Sequence, residues 1–260
     1  MLRALYTSAT GMKAQELLID NTANNLANVN TTGFKQNRVD FADLMPTSIR
    51  LPGAFVNEQQ NAPSGLQIGN GVRAVANAKQ FSQGHIEPTG RDLDIAIEGA
   101  GFFQVSKAGT TLYTRAGNFG RDDAGNIVTA TGYRLEPNVQ IGADFARVTI
   151  SEDGQVQGHD SEGQVSVLGN LELASFVNPA GLSSIGDNLF AETAASGAAV
   201  TGAPGVEGYG SLKQGALENS NVEVVTELIS LIEAQRAYEV NSRAIRAGDE
   251  MLSTSVDIVR

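Results

Sequence analysis

Apolar residues recur every seven positions at both ends of this chain and every second position through its middle. Leu5, Met12, Ile19 and Leu26 keep the spacing of seven near the N-terminus, and Leu2, Ala9 and Ala23 precede them by three, with Glu16 the polar exception. This a/d pattern predicts a helix with an apolar seam. Gly33 should end it as a left-handed residue, with Phe34 folding back on the last turn. Val224, Leu231, Tyr238, Ile245, Leu252 and Val259 repeat the period near the C-terminus. Their companion positions are mixed: Leu228 and Val256 are apolar, whereas Gln235, Ser242 and Asp249 are polar. Ser220-Asn221-Val222-Glu223 reads as a capping box, so this helix is expected from about Asn221 and to reach roughly 60 Å. A second stripe of Val222, Val225, Ile229 and Ile232 calls for additional helices, and hence for other subunits. The competing reading is a pair of amphipathic helices packed on the central domain.

The first segment is also crowded with amides, at Asn21, Asn24, Asn25, Asn28 and Asn30. Asparagine is a poor helix former because its short side chain competes for nearby backbone groups. These side chains therefore either break the helix or bond to groups that the monomer lacks.

Between the ends the period falls to two. "DLDIAIEG" alternates Leu93, Ile95 and Ile97 against Asp92, Asp94, Ala96 and Glu98, which predicts a half-buried strand. "GFFQVS" and "TLYTR" should pair through Lys107-Ala108-Gly109. Gly125 in "RDDAGNIV" and Gly154 in "TISEDGQVQG" mark two further hairpins. No strand–helix–strand rhythm occurs, so the middle reads as mostly antiparallel β. Met45 to Gly71 holds Pro46, Pro52 and Pro63 without a clear period, and Ala194 to Gly210 is built of small residues. Both read as loops or extended connectors. Within the first, Leu51, Phe55, Val56, Leu66 and Ile68 supply apolar groups for an intersubunit brace. The fold class is α+β: long N- and C-terminal helices form a coiled-coil-like terminal domain around a mostly antiparallel β middle domain. The expected divisions are 1–35 with 220–260 for helical assembly, 36–75 with 205–219 as connector and brace, and 76–204 as the β-rich domain.

Composition narrows the function. The 260 residues are 41% hydrophobic and 18% charged, in the range of globular chains. A net charge of −11 opposes nucleic acid and anionic membrane surfaces. Zero cysteine excludes disulfides and thiolate chemistry. Lys13 and Glu16 interrupt any signal-like apolar run, and no stretch approaches the ~18 apolar residues of a membrane span. "IGNG" and "EGAG" lack the third glycine of a nucleotide loop, and the two histidines, His85 and His159, lack ligand spacing. No serine stands in a G-x-S-x-G elbow. Asp92, Asp94, Asp122 and Asp123 read as solvated edge and turn acids. The expectation is no catalysis, no metal and no cofactor.

The ends that carry the pattern also carry a resemblance. "SATGMKAQELLIDNTANNLANVNTTGFK" resembles the N-terminal signature of flagellar rod and hook proteins, and "LENSNVEVVTELISLIEAQRAYEVNSRAI" is similar to their C-terminal helix. "DLDIAIEGAGFFQV" and "YTRAGNFGRDDAGNIV" resemble the family's central β domain, and "APSGLQIGNGVRAVANAKQFSQG" is similar to its distal rod type. The resemblance implies a structural subunit of the bacterial basal body. It would be exported by the flagellar type III apparatus without a cleaved signal and would polymerise into a hollow, rigid, periplasm-spanning shaft. Its implied partners are copies of itself, other rod proteins, the hook protein, and the periplasmic and outer-membrane rings. It implies assembly contacts through Leu5, Met12, Ile19, Leu26, Asn24, Asn25, Asn28, Val224, Leu231, Tyr238, Ile245, Leu252 and Val259, with the amides satisfied between subunits or facing the central channel. Alternatives are a proximal rod or hook-type subunit, or a secreted β-domain hydrolase or sugar-binding protein with oligomerising helices.

Overall fold

Neither terminal segment contains proline, and each holds a single glycine, so both propagate as long helices: α1 (Leu2–Ala27) and α2 (Val224–Ile258). At the α-helical rise the 35 residues of α2 span roughly 52 Å. The computed structural model describes residues 2–50, 55–57, 60–61, 64–107, 109–142, 144–160 and 164–258. Leu51 and Val259 lie outside the described residues, as do the side chains of Phe55 and Val56. The chain divides into a helical unit (1–26, 37–78 and 223–260) and a β unit (27–36 and 79–222).

Both helices are shorter than the sequence pattern suggests. Helix α1 stops at Ala27, six residues before Gly33, where Asn28 closes a turn: its carbonyl accepts from Thr31 N at 3.1 Å, and its side-chain oxygen accepts from Thr31 Oγ1. Gly33 is left-handed as expected, with φ 67°, but the reason is tertiary. Its N–H donates to Glu218 O at 2.7 Å, and a Cβ there would meet Ala116 N at 2.6 Å. The capping box does not form either. Ser220 Oγ accepts from Val222 N, and the Asn221 amide is committed to Gln36 N, Gln80 O and Ser82 O. Helix α2 therefore begins three residues later than Asn221.

In the helical unit the segment between the helices is no irregular loop. Asn37–Asp43 pairs with Val72–Lys79, Thr47–Arg50 with Leu66–Ile68, and Phe55–Asn57 with Gln60–Asn61. The nested pairings run as a two-stranded antiparallel ribbon through the described parts of the stretch read as a connector. Its described side chains are half-buried or exposed on both faces. A pair of strands alone is marginally stable in water.

The β unit is antiparallel throughout its paired strands. Its largest sheet runs, in spatial order, Phe119–Arg121, Ile127–Thr129, Arg134–Glu136, Phe102–Lys107, Thr110–Thr114, Leu189–Ala191 and Ser183–Gly186, with Leu173–Ser175 and Val200–Gly202 branching from the fourth. A three-stranded sheet holds Phe145–Ile150, Gln155–Asp160 and Val165–Asn170, whose first turn uses Gly154 at φ 84° as expected. The short strand Val200–Gly202 lies inside the small-residue stretch read as a connector. Ile95, Ile97, Phe103, Val105, Phe119, Ile127 and Leu173 are all essentially without solvent contact. Each such side chain contributes about 1.5–3 kcal/mol of burial. The strand Ile95–Glu98 is buried on both faces, not on one: Asp94, Ile95, Ala96 and Ile97 are all sealed. Asp94 is thus no solvated edge acid. Thr89 Oγ1 donates to its Oδ2 at 2.6 Å.

Candidate assembly surface

Helices α1 and α2 run antiparallel, because contact partners on α2 fall in number as those on α1 rise. A Cβ at Gly248 would stand 2.6 Å from Leu5 Cδ2, and one at Gly11 would stand 3.0 Å from Asn241 Nδ2. Further along, Asn25 Nδ2 donates to Glu227 Oε1 at 3.4 Å. Burial raises the Glu227 carboxyl above its ordinary range, and the Asn25 hydrogen bond opposes that shift. The inward residues of α2 are Leu231, Ile245 and Leu252, each half-buried, alternating with Ala234, Asn241 and Gly248. The companion row thus lies one residue before the predicted 228/235/242/249 set. On α1 the row of Leu5, Met12, Ile19 and Leu26 is half-buried, but Ala9, Glu16 and Ala23 are exposed.

The amides are answered within the chain wherever their bonds are defined. Asn21 Nδ2 and Asn25 Nδ2 both donate to Asn37 O, at 2.8 and 3.0 Å, and Asn37 N returns a bond to Asn25 Oδ1 at 3.0 Å. Asn25, buried to 1%, thereby docks the first ribbon strand on α1. For Asn21 and Asn25 the expectation of partners in another subunit fails. A buried amide requires bonded partners, and the chain brings Asn37 back twelve residues later to supply them. Asn24 and Asn28 are likewise engaged.

Over its first half α2 also leaves apolar residues outside. Val224, Val225, Leu228, Ile229, Ile232, Tyr238 and Val240 are all exposed, with Val224 and Tyr238 at 40% and Val225 at 64%. Of the expected contact residues, Leu231, Ile245 and Leu252 are half-buried, whereas Val224 and Tyr238, on the same seven-spaced stripe, are exposed at 40%. On the ribbon, Ile49, Leu66 and Ile68 are exposed as well. Apolar groups this dense on a solvated helix mark an interaction surface.

An ion cluster lies buried within the β unit. Lys35 Nζ lies 2.6 Å from Glu218 Oε1, both side chains having no solvent contact, and Arg115 Nε lies 3.5 Å from Glu218 Oε2. Lys35 Nζ also donates to Ser82 O, Gly84 N donates to Glu218 Oε1, and Arg115 Nη2 donates to Gly99 O. Burial lowers the Lys35 amine below its ordinary value, while the Glu218 charge and hydrogen bond pull it back up. The segment that follows α1 and the segment that precedes α2 meet at this cluster. Lys35 closes the "TTGFK" motif, which was the available signal. Its partner is 183 residues away.

Among the described residues, no group of acids and histidines is arranged to hold a metal, and no helix is long and apolar enough to cross a membrane. Family comparisons match residues 5–35 to the flagella basal body rod protein family, 96–158 to the flagellar hook protein FlgE/F/G D1 domain, and 213–258 to the flagellar basal body rod FlgEFG protein C-terminal family. The chain is 44% identical over its whole length to the flagellar basal-body rod protein FlgG of Borreliella burgdorferi, with all of that protein covered. It is 46% identical to the FlgG of Agrobacterium fabrum, covering 97% of each, and 39% identical to that of Bacillus subtilis, covering all of both. The chain belongs to the flagellar basal-body rod protein family.

Proposed function

We propose that this rod subunit polymerises through the outward face of its terminal helices into the hollow, stiff shaft of the distal rod. The shaft transmits motor torque to the hook across the periplasm. The observation that carries this reading is the apolar ridge of Val225, Ile229, Ile232 and Val240 on α2, exposed while the opposite side of the same helix packs on α1. Burying such a ridge contributes about 25 cal/mol per Å². Other rod proteins, the hook protein and the ring bushings are its neighbours in this account, and the flagellar type III apparatus exports it. The stretch from 45 to 71, with its apolar Leu51, Phe55, Val56, Leu66 and Ile68, acts as a brace against a neighbouring subunit. That role fits two strands exposed on both faces, which a single chain stabilises poorly. Electron microscopy of the purified chain after concentration tests the reading. Straight tubular polymers support it, and protein that remains monomeric at every concentration contradicts it.

A further inference from the structure

Helix α1 and the ribbon together wall an open groove in the helical unit. It consists of two clefts of about 470 and 540 Å³ that share Leu17 and Ala74. Tyr6, Leu17 and Val75, which line it, are exposed at 60%, 40% and 58%. Lys13 and Arg73 stand in the cleft nearer the start of α1, and Asp20 stands in the other. The cleft nearer the start of α1 sets its two cations beside Ala14, Leu44 and Val72, and the other is edged by Asn21, Asn24, Asn37 and Asn77.

We propose that this groove seats the apolar ridge of α2 from a second copy of the chain. This rests on the polymer reading above and names the two surfaces that meet. Val225, Ile229 and Ile232 form the apolar strip that the groove lacks, and the exposed Glu223 and Glu233 flank it with the charge that Lys13 and Arg73 complement. The ridge of the same chain is not available to the groove, because Leu5, Gly11 and Asn25 hold the other side of α2 and leave the ridge exposed. A contact between two different surfaces of identical subunits builds an open helical filament when its rotation does not close, which is what a shaft requires.

Charge reversal in the full-length chain tests the pairing, read as the concentration at which polymer first sediments. Lys13→Glu with Arg73→Glu should raise that concentration about tenfold, the equivalent of about 1.4 kcal/mol. Glu233→Lys should raise it in the same direction, and the three changes combined should bring it back toward wild type. Ile229→Asp serves as the control for the ridge. If the combined variant is as impaired as the groove variant while Ile229→Asp still blocks assembly, the ridge is used but this groove is not its seat. If the groove variant assembles as wild type does, the proposal is likewise overturned. Normal assembly by Ile229→Asp would instead remove the polymer reading on which the proposal rests.

Discussion

Lys35, Arg115 and Glu218 place three charges where water does not reach, and their value depends on all being present. Removing one partner of a buried pair typically costs about 3–5 kcal/mol, because the remaining charge is left uncompensated. Lys35→Met should destabilise the β unit by that amount in urea denaturation. Replacing all three by Met should recover part of the loss. Recovery stays incomplete because Ser82 O, Gly84 N and Gly99 O lose their partners. A triple variant as unstable as the single one would contradict this account. The Lys35 amine is depressed in the folded chain, so its contribution is fully present only above the ordinary 10.5 and declines as pH falls through the lowered value. At neutral pH the buried ammonium is therefore a cost that Glu218 offsets. Asp122 gives a second, simpler titration. Hydrogen bonds from the Asn126 side chain and backbone and from Ala124 N hold its carboxyl below the ordinary 3.8. Its stabilisation of the 119–129 hairpin is present above 3.8 and is lost as pH falls through the lowered value. An NMR titration in which the Asp122 carboxyl protonates at or above 3.8 would contradict that. The turn was legible in the sequence from Asp122-Asp123-Ala124-Gly125. The ion cluster was not, since no local pattern links Lys35 to Glu218.

The helices show how far periodicity reaches. Leu231, Ile245 and Leu252, spaced by seven and fourteen, are half-buried together because a helix returns to nearly the same face every two turns. The companion row expected at 228/235/242/249 is not the row that meets α1; that row contains Ala234, Asn241 and Gly248. Small residues there allow close approach rather than burying area. Gly248→Leu should therefore separate the helices: a side chain at that position meets Leu5 within 2.6 Å. Its expected cost is the 1–3 kcal/mol of an overpacked contact, visible as faster amide exchange in both helices with the β unit unaffected. Exchange unchanged by that substitution would contradict the helix pairing. The ribbon escaped the sequence reading because its strands are exposed on both faces and show no alternation. Replacing 45–71 with a Gly/Ser linker should leave assembly intact and make the polymer curved or flexible under electron microscopy. Straight polymers from that variant would return the stretch to the role of a plain connector.

At the scale of the molecule, the division of labour is between a β unit sealed around Phe103, Ile95 and Leu173 and a helical unit that leaves its apolar residues in water. The α+β class and its antiparallel middle were legible because alternation and heptads are local signals. The partners of each amide and charge were not, because they depend on which distant segments the fold brings together. An exposed ridge on a helix contributes little to the monomer and much to an assembly, so both helices should be less protected from hydrogen exchange in dilute solution than in polymer. The most direct test replaces one ridge residue, Ile229, which is 53% exposed in the single chain. Ile229→Asp would bury an unpaired carboxylate at any contact made by that face, at a cost of several kcal/mol. Sedimentation and electron microscopy of the concentrated variant should show no tubes, while thermal melting of its β unit matches wild type. Wild-type-like tubes from Ile229→Asp would contradict the claim that the outward face of α2 builds the shaft.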